Sequence, residues 1–209
     1  MQLNVINETL IEYRFADTIS LKLSERILSI CHYLMESVDF QALSLIKITP
    51  GFTAIAISFT SDSPLFNHAD FLREDIIRAG QQPIKTNEQC HTIEIIYDGL
   101  DLQMVCQTLQ LTKKQFIQLH QQNVYTIAML GFKGNFPYLL GLDKRLVLPR
   151  RASPRNQVKK GSVAIAAEQC GIYTEDSPGG WHIIAHTDFT AFASLAAGER
   201  IVFKEKYVN

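Results

Sequence analysis

Three arginines lie within six residues in the segment P-R-R-A-S-P-R, residues 149–155. Pro149 and Pro154 fix their own φ angles and push the preceding residue toward an extended backbone, so the segment is predicted to be stiff and extended. A guanidinium presents a planar fork of donors that matches a carboxylate or a phosphate, and a stiff backbone reduces the entropy lost in aiming it. We therefore predict that Arg150, Arg151 and Arg155 form part of an anion-binding site.

A second interpretation of these arginines remains open. One or two of them could instead pair with acids such as Asp143 or Glu168 and hold the loop in place. Surface arginines are common, and exposed ion pairs contribute little to stability. Such pairing would hold the loop without giving these arginines a role in binding a ligand.

Two further loops could line a site beside the arginines. The first is G-F-K-G-N-F-P-Y-L-L-G, residues 131–141, and the second is S-P-G-G-W-H, residues 177–182. Glycines allow a close backbone approach, and an indole offers an aromatic face with one donor. The predicted lining residues are Gly134, Asn135, Phe136, Tyr138, Gly179, Gly180 and Trp181. The alternative is that the glycines only connect strands and the rings only fill a core.

Two histidines on one stretch, His182 and His186, have a spacing that could hold a metal on a helix. The surrounding sequence is rich in β-formers, and in a strand that spacing separates the side chains by roughly 13 Å. We therefore predict no metal site. The four cysteines (Cys31, Cys90, Cys106 and Cys170) are far apart and form no C-x-x-C pair, so we predict reduced thiols, mostly in the core.

The overall composition limits the possible partners. The chain has 209 residues, 46% of them hydrophobic, with a net charge of -1 and a pI near 6.6. No global field would draw nucleic acid or an anionic membrane to such a chain. The first ten residues include no basic residue, and no apolar run approaches about 18 residues, so a cytoplasmic location is expected.

The N-terminal part has the pattern of a small α+β domain. Residues 4–15 are strand-like, and apolar residues at helical spacing predict an amphipathic helix over 20–37. A hairpin follows around Pro50 and Gly51, and a second helix is predicted to end near Gly80. The order strand, helix, strand, strand, helix fits a ferredoxin-like split βαβ domain if one more strand pairs with it.

A polar segment, residues 81–89, is predicted to link this domain, residues 1–85, to a second domain, residues 86–209. The second domain begins with a strand over 91–97 and two helical pieces, and Thr112 and Gln115 have the spacing of a capping box. From residue 124 onward, short β-branched and aromatic runs alternate with Gly and Pro clusters. This pattern is typical of an all-β barrel or sandwich.

Five blocks in the second domain carry a resemblance to a known family. They are G-F-K-G-N-F-P-Y-L-L-G-L-D-K-R-L, P-R-R-A-S-P-R, G-S-V-A-I-A, E-Q-C-G-I-Y and S-P-G-G-W-H-I-I, the last followed by two other residues and then Thr187. In this order they resemble the family of 5-oxoprolinase B subunits, which includes the KipI-type inhibitors of sporulation histidine kinases and was formerly labelled allophanate hydrolase subunit 1. Residues 97–120, which open with Y-D-G-L-D-L and end at His120, resemble the region that precedes these blocks.

The resemblance implies a ferredoxin-like N-terminal domain followed by a cyclophilin-like β-barrel. It also implies that the chain acts together with the A and C subunits of that enzyme, which hydrolyses 5-oxoproline to glutamate at the expense of ATP. The C subunit is the expected direct partner. The chain contains neither G-x-x-x-x-G-K-[ST] nor G-x-G-x-x-G, so the nucleotide is expected in a site shared with a partner, and the chain alone is expected to be nearly inert.

On this resemblance, His120 and Arg151 are the predicted catalytic residues, with Arg150 and Arg155 binding the substrate carboxylate or a phosphate. A satisfied structural histidine is the alternative for His120. The alternative functions are a regulator that docks on a histidine kinase and a subunit of an amide hydrolase or carboxylase related to urea metabolism.

Overall fold

The computed structural model of the protein describes residues 1–39, 41–60, 65–85 and 87–207. The chain divides into two compact units, Met1–Thr86 and Asn87–Asn209. Within the described ranges no helix is long and apolar enough to cross a membrane.

The first unit is a four-stranded antiparallel sheet with two helices. Its elements, in chain order, are β1 (Gln2–Asn7), β2 (Leu10–Arg14), α1 (Leu21–Ser37), β3 (Leu45–Pro50), β4 (Ala54–Phe59) and α2 (Leu65–Gly80). The strand order is β1-β2-β4-β3, so β4 lies between the two strands that α1 connects. Apolar residues of β2, β4 and both helices form one core, which includes Tyr13, Ile27, Phe59 and Leu72. The helices therefore cover one face of the sheet.

The predicted helix over 20–37 is confirmed, because α1 begins directly after Ser20, whose side chain accepts the Leu23 N–H at 3.2 Å. The prediction of a single strand over 4–15 is wrong, since this stretch is the β1–β2 hairpin. Its turn is set by Asn7, whose Oδ1 accepts the backbone N–H of Thr9 at 2.9 Å. The extra strand of the sheet thus precedes α1 instead of following α2, and the ferredoxin-like assignment stays a prediction.

The second unit contains the remaining elements. They are β5 (Cys90–Ile95), α3 (Leu102–Thr108), α4 (Lys113–Gln121), β6 (Tyr125–Gly131), β7 (Phe136–Leu140), β8 (Arg155–Val158), β9 (Ser162–Ala166), β10 (Gln169–Ile172), β11 (Ser177–Gly179), β12 (His182–His186) and β13 (Arg200–Glu205). The predicted capping box is confirmed at the start of α4: Thr112 Oγ1 accepts the Gln115 N–H, and Gln115 Oε1 accepts the Thr112 N–H.

A curled sheet of seven strands forms the centre of this unit, in the order β12-β9-β10-β7-β6-β13-β5. Its two edge strands meet at one bridge, in which Ile96 and His186 exchange backbone hydrogen bonds of 2.8 and 2.9 Å. The β-rich texture predicted for this region is confirmed as a curled sheet. The cyclophilin-like assignment stays a prediction.

Both faces of the curled sheet are covered. Side chains alternate along β9, so Val163 and Ile165 join the large core with α3 and α4, whereas Ala164 and Ala166 join a smaller cluster on the other face. That smaller cluster contains Trp181 and is covered by the separate β8–β11 pair. The arginine segment and the glycine-tryptophan loop therefore lie on the same face of the sheet.

Candidate functional site

Two of the three arginines converge on one buried carboxylate, that of Asp101. Arg155 donates from Nη1 to Asp101 Oδ2 at 2.9 Å and from Nη2 to Oδ1 at 2.7 Å, and Arg151 Nη1 donates to Oδ1 at 2.9 Å. The alternative in which arginines pair with an acid is therefore correct for Arg151 and Arg155. The acid, however, is neither Asp143, which pairs with Arg145, nor Glu168.

Asp101 is held in position by its own loop. Gly99 N–H and Asp101 N–H donate to the carbonyls of Ile184 and Ile183, at 3.2 and 2.9 Å. A Cβ on Gly99 would lie 2.3 Å from the carbonyl carbon of Ile184, so only glycine permits this approach to β12. Asp101 occupies the N-cap position of α3, but its carboxylate makes no cap hydrogen bond. It accepts the Ile183 N–H at 2.8 Å instead.

The electrostatics of Asp101 follow from these contacts. Burial by itself raises the pKa of the carboxyl, but hydrogen bonds from Arg155 and the Ile183 N–H, with the charges of both arginines, outweigh it and bring the pKa below its usual value. The carboxylate is therefore ionised at neutral pH and compensates much of the charge of Arg151 and Arg155.

The arginine segment is also bonded to the glycine-tryptophan loop. The Arg151 N–H donates to the Gly180 carbonyl, and His182 Nε2 donates to the Pro149 carbonyl, both at 2.9 Å. These bonds align residues 149–151 with residues 180–182 and place Arg150 next to Trp181. The Arg150 guanidinium carbon lies 5.9 Å from the centre of the indole ring.

A cavity of about 290 Å³ opens where these two loops meet the hairpin between β6 and β7. We name it the aromatic cavity. Its lining residues are Phe132, Phe136, Tyr138, Arg150, Pro154, Tyr173, Pro178, Gly179, Gly180 and Trp181. Arg150 is the only charged residue among them. The cavity therefore combines an aromatic wall with a single cation.

The rings of the cavity pack edge to face. Phe136 is T-shaped to Trp181 with centroids 5.4 Å apart, and Tyr138 is T-shaped to Trp181 at 5.8 Å. Tyr173 contacts Phe136 at 5.1 Å, and its hydroxyl lies so close to Gly179 that a Cβ there would be 2.0 Å from Oη. Glycine at 179 is thus required for the shape of this wall.

The two tyrosines of the cavity keep their protons. Burial raises the pKa of Tyr138, although the charge of Arg150 opposes it, and burial also raises the pKa of Tyr173, although the Trp181 N–H opposes it. Both hydroxyls are therefore neutral at physiological pH and are able to donate a hydrogen bond.

The structure brings six of the predicted site residues together in the cavity: Phe136, Tyr138, Arg150, Gly179, Gly180 and Trp181. Gly134 and Asn135 do not line it. They lie exposed in the β6–β7 turn with positive φ angles of 60° and 58°, so they shape the turn that carries Phe132. Arg151 and Arg155 do not line the cavity either, and both pair with Asp101.

His120 is not brought to the cavity either. It is fully buried in the large core, where Nδ1 lies 2.8 Å from the Tyr97 hydroxyl and Nε2 lies 3.5 Å from Cys170 Sγ. Its ring packs between those of Phe116 and Phe203. Burial lowers the pKa of His120 to about 3, so the ring is neutral. These contacts are those of a satisfied structural histidine, which was the alternative for His120. They give no support to the predicted catalytic role.

The sequence reasoning missed three residues that the site depends on, namely Asp101, Tyr173 and Phe132. A signal for the first two existed, because Asp101 ends the block Y-D-G-L-D and Tyr173 ends the block E-Q-C-G-I-Y. Their partners, however, are distant in sequence: Arg155 is 54 residues from Asp101. Phe132 is 66% exposed and lies just before the turn glycine Gly134. Nothing in the sequence around it indicated that it lines a cavity.

The histidines of β12 have separate partners. His186 Nδ1 lies 2.6 Å from Asp98 Oδ1, and His182 binds the Pro149 carbonyl. Among the described residues, no group of three or more His, Cys, Asp or Glu side chains could hold a metal ion. All four cysteines are free thiols, and Cys90 is exposed whereas the other three are buried.

The family described as "Carboxyltransferase domain, subdomain C and D" matches residues 1–201 of the chain. The 5-oxoprolinase B subunit of Haemophilus influenzae is 42% identical over 121 residues, which cover 53% of this chain and 57% of the relative. The 5-oxoprolinase B subunit of Bacillus subtilis is 28% identical over 206 residues, which cover 91% of this chain and 84% of that protein.

Two solved structures with this fold belong to longer chains. TTHA0988 is 27% identical with a TM-score of 0.79, and the match covers 96% of this chain but 40% of that one. The urea amidolyase of Kluyveromyces lactis has a TM-score of 0.76 at 14% identity, over 98% of this chain and 15% of its own, which shows a common fold alone. The match to 5-oxoprolinase B subunits expected from the sequence blocks is confirmed, and the chain belongs to the carboxyltransferase domain family, subdomains C and D.

Proposed function

We propose that this chain is the B subunit of an ATP-dependent 5-oxoprolinase, which cleaves 5-oxo-L-proline to L-glutamate together with its A and C subunits. The observation that carries the proposal is the match, over 91% of the chain, to a protein named as the B subunit of 5-oxoprolinase. The aromatic cavity supports it, because a cavity with one exposed arginine suits a small carboxylate.

The chemistry of the reaction explains why several subunits are needed. A lactam carbonyl is a weak electrophile, and its nitrogen is a poor leaving group. Transfer of the γ-phosphoryl group of ATP to the carbonyl oxygen, with release of ADP, would activate the carbonyl carbon. Water would then add to that carbon, the C–N bond would break as the nitrogen takes up a proton, and inorganic phosphate would leave. The complete site must hold a substrate carboxylate, a nucleotide phosphate and developing negative charge together.

In this scheme the chain contributes binding and orientation. Arg150 would pair with the substrate carboxylate, and Trp181 and Phe136 would fix the plane of the five-membered ring. The hydroxyl of Tyr173 would donate to an oxygen atom of the substrate. ATP and the attacking water would be handled mainly by the partner subunits, with the C subunit as the direct partner, since this sequence contains neither phosphate-binding glycine motif.

The test is reconstitution from purified subunits. The chain is mixed with candidate C and A subunits, and ATP hydrolysis is measured with and without 5-oxo-L-proline. We expect 5-oxoproline-dependent hydrolysis and glutamate release in the full mixture and neither with this chain alone. Absence of turnover with every candidate partner, together with inhibition of a histidine kinase's autophosphorylation by this chain, would replace the proposal with the regulatory function.

A further inference from the structure

We infer that the aromatic cavity is a self-contained binding site for a small cyclic monoanion, occupied by 5-oxo-L-proline without nucleotide or partner subunit. The inference rests on the proposed function for the identity of the ligand. It goes further in assigning the two substrates to different chains of one composite site: the lactam acid binds to this chain, and ATP is held next to it by residues of a partner subunit.

The charge of the cavity favours a ligand with a single negative charge. Of the three arginines in the segment, Arg151 and Arg155 are committed to Asp101. Within the described ranges Arg150 forms no ion pair with a carboxylate, and no acidic side chain lines the cavity. The lining of the cavity therefore presents one positive charge, which matches one carboxylate, and the two guanidinium groups on Asp101 leave a net charge of about +1 next to it. A triphosphate carries several negative charges, and a single guanidinium would leave most of them uncompensated.

The volume and the aromatic lining of the cavity favour a small cyclic ligand. Its volume of about 290 Å³ equals the liquid volume of roughly ten water molecules. A lactam acid of about nine non-hydrogen atoms fits that volume, whereas a nucleotide does not. Trp181 and Phe136 contribute aromatic carbon to the lining of the cavity, which suits the apolar methylene side of a five-membered ring.

Arg150 and Tyr173 contribute polar groups to the lining of the cavity. The neutral hydroxyl of Tyr173 can donate a hydrogen bond, and a lactam carbonyl and a carboxylate are acceptors. Arg150 precedes β8 and Tyr173 follows β10, so one ligand that contacts both residues is fixed in orientation. Such convergence distinguishes a ligand site from a gap in packing.

A direct experiment is available because Trp181 is the only tryptophan in the chain. The isolated chain is titrated with 5-oxo-L-proline, with 2-pyrrolidone, which is the same ring without a carboxylate, and with ATP. Fluorescence of Trp181 is recorded, and ligand-observed NMR on the same samples detects any binding that leaves the fluorescence unchanged. We expect saturable binding of 5-oxo-L-proline, at least tenfold weaker binding of 2-pyrrolidone and no competition by ATP.

Two variants complete the test. Arg150→Gln should weaken 5-oxo-L-proline binding by about 10- to 100-fold, the loss expected for one charge-assisted hydrogen bond, and should abolish the preference over 2-pyrrolidone. Arg145→Gln removes a more remote arginine that pairs with Asp143, and its affinity should equal that of the unmodified chain. Far-ultraviolet circular dichroism establishes that both variants are folded.

The possible results separate this inference from the proposed function. Absence of 5-oxo-L-proline binding by the isolated chain, displacement of the ligand by ATP, or equal affinity of Arg150→Gln would overturn the inference. If the reconstituted complex still turned over, the proposed function would stand. Binding by the chain without turnover in any reconstituted mixture would support the cavity assignment and overturn the proposed function.

Discussion

Arg155 binds both carboxylate oxygens of Asp101 through its two terminal nitrogens, at 2.9 and 2.7 Å. The pair joins the arginine segment to a loop 54 residues earlier in the chain. Since Arg151 binds the same carboxylate, Asp101 holds two of the three guanidinium groups and offsets one of their two charges, and only Arg150 lines the cavity. The three similar side chains thus divide into two that hold the segment in place and one that is available for a ligand.

Replacing Asp101 by Asn should cost about 2 to 4 kcal/mol of unfolding free energy, because two largely buried guanidinium groups would lose their counter-ion. Thermal and urea unfolding measure the loss. Asp188→Asn is the control: Asp188 pairs with Lys206, and their side chains are 75% and 45% exposed, so the change should stay within about 1 kcal/mol. Equal losses in the two variants would contradict the central role of Asp101.

The arginines should separate into two classes. Arg155→Gln is expected to lower the unfolding free energy by about 2 to 4 kcal/mol, since it breaks a bidentate buried pair. Arg150→Gln, at an exposed position, should change it by no more than about 0.5 kcal/mol. Denaturant unfolding of both variants checks the order. The reverse order would show that Arg150 holds the loop and that Arg155 is the freer side chain.

A methyl group at Gly179 should distort the cavity. It would lie 2.0 Å from Tyr173 Oη, so the tyrosine or the loop must move, and we expect a loss of about 1 to 3 kcal/mol in stability together with weaker ligand binding. Gly180→Ala is the neighbouring control, because its methyl group would meet Pro154 Cβ at 3.7 Å, an ordinary contact. If both variants bound ligand equally, the Gly179–Tyr173 contact would not shape the site.

His120 should make the second unit sensitive to acid. Its pKa is about 3 in the folded protein against a usual 6.5, so the unfolded chain binds more protons between those values. The contribution is complete above about pH 6.5 and is lost as the pH falls toward 3, with a slope of up to about 1.4 kcal/mol per pH unit.

His120→Phe tests this dependence. The variant should be less stable at pH 7 by about 1 to 3 kcal/mol, because the Tyr97 hydroxyl loses its partner, but its stability should fall less steeply between pH 6 and 4. Urea unfolding at each pH gives both quantities. An unchanged slope would mean that other groups cause the acid sensitivity of the unit.

Much of the local structure could be predicted from the sequence, because it depends on neighbouring residues. The apolar spacing of α1 with its Ser20 cap, and the Thr112–Gln115 capping box, are signals contained within one helix. The β1–β2 turn was missed because it depends on one asparagine side chain bonding to its own backbone, in a stretch of otherwise strand-like composition.

The site was only partly predictable, for a related reason. Glycine, arginine and tryptophan residues could be selected as candidates for the site by their residue type. Residue type does not determine, however, which arginine pairs with a carboxylate. Folding brings Asp101 beside Arg151 and Arg155 through the approach of Gly99 to β12, a tertiary contact without a local signature. His120 could equally be catalytic or structural by its type, and only its burial among rings distinguishes the two.

The most direct measurement of the whole account is the KM for 5-oxo-L-proline of the reconstituted complex carrying Arg150→Gln in this chain, with Arg145→Gln as reference. If the aromatic cavity is the substrate site, the KM for 5-oxo-L-proline should rise by about 10- to 100-fold while the KM for ATP stays constant. An unchanged KM for 5-oxo-L-proline, or a rise confined to the KM for ATP, would contradict the account.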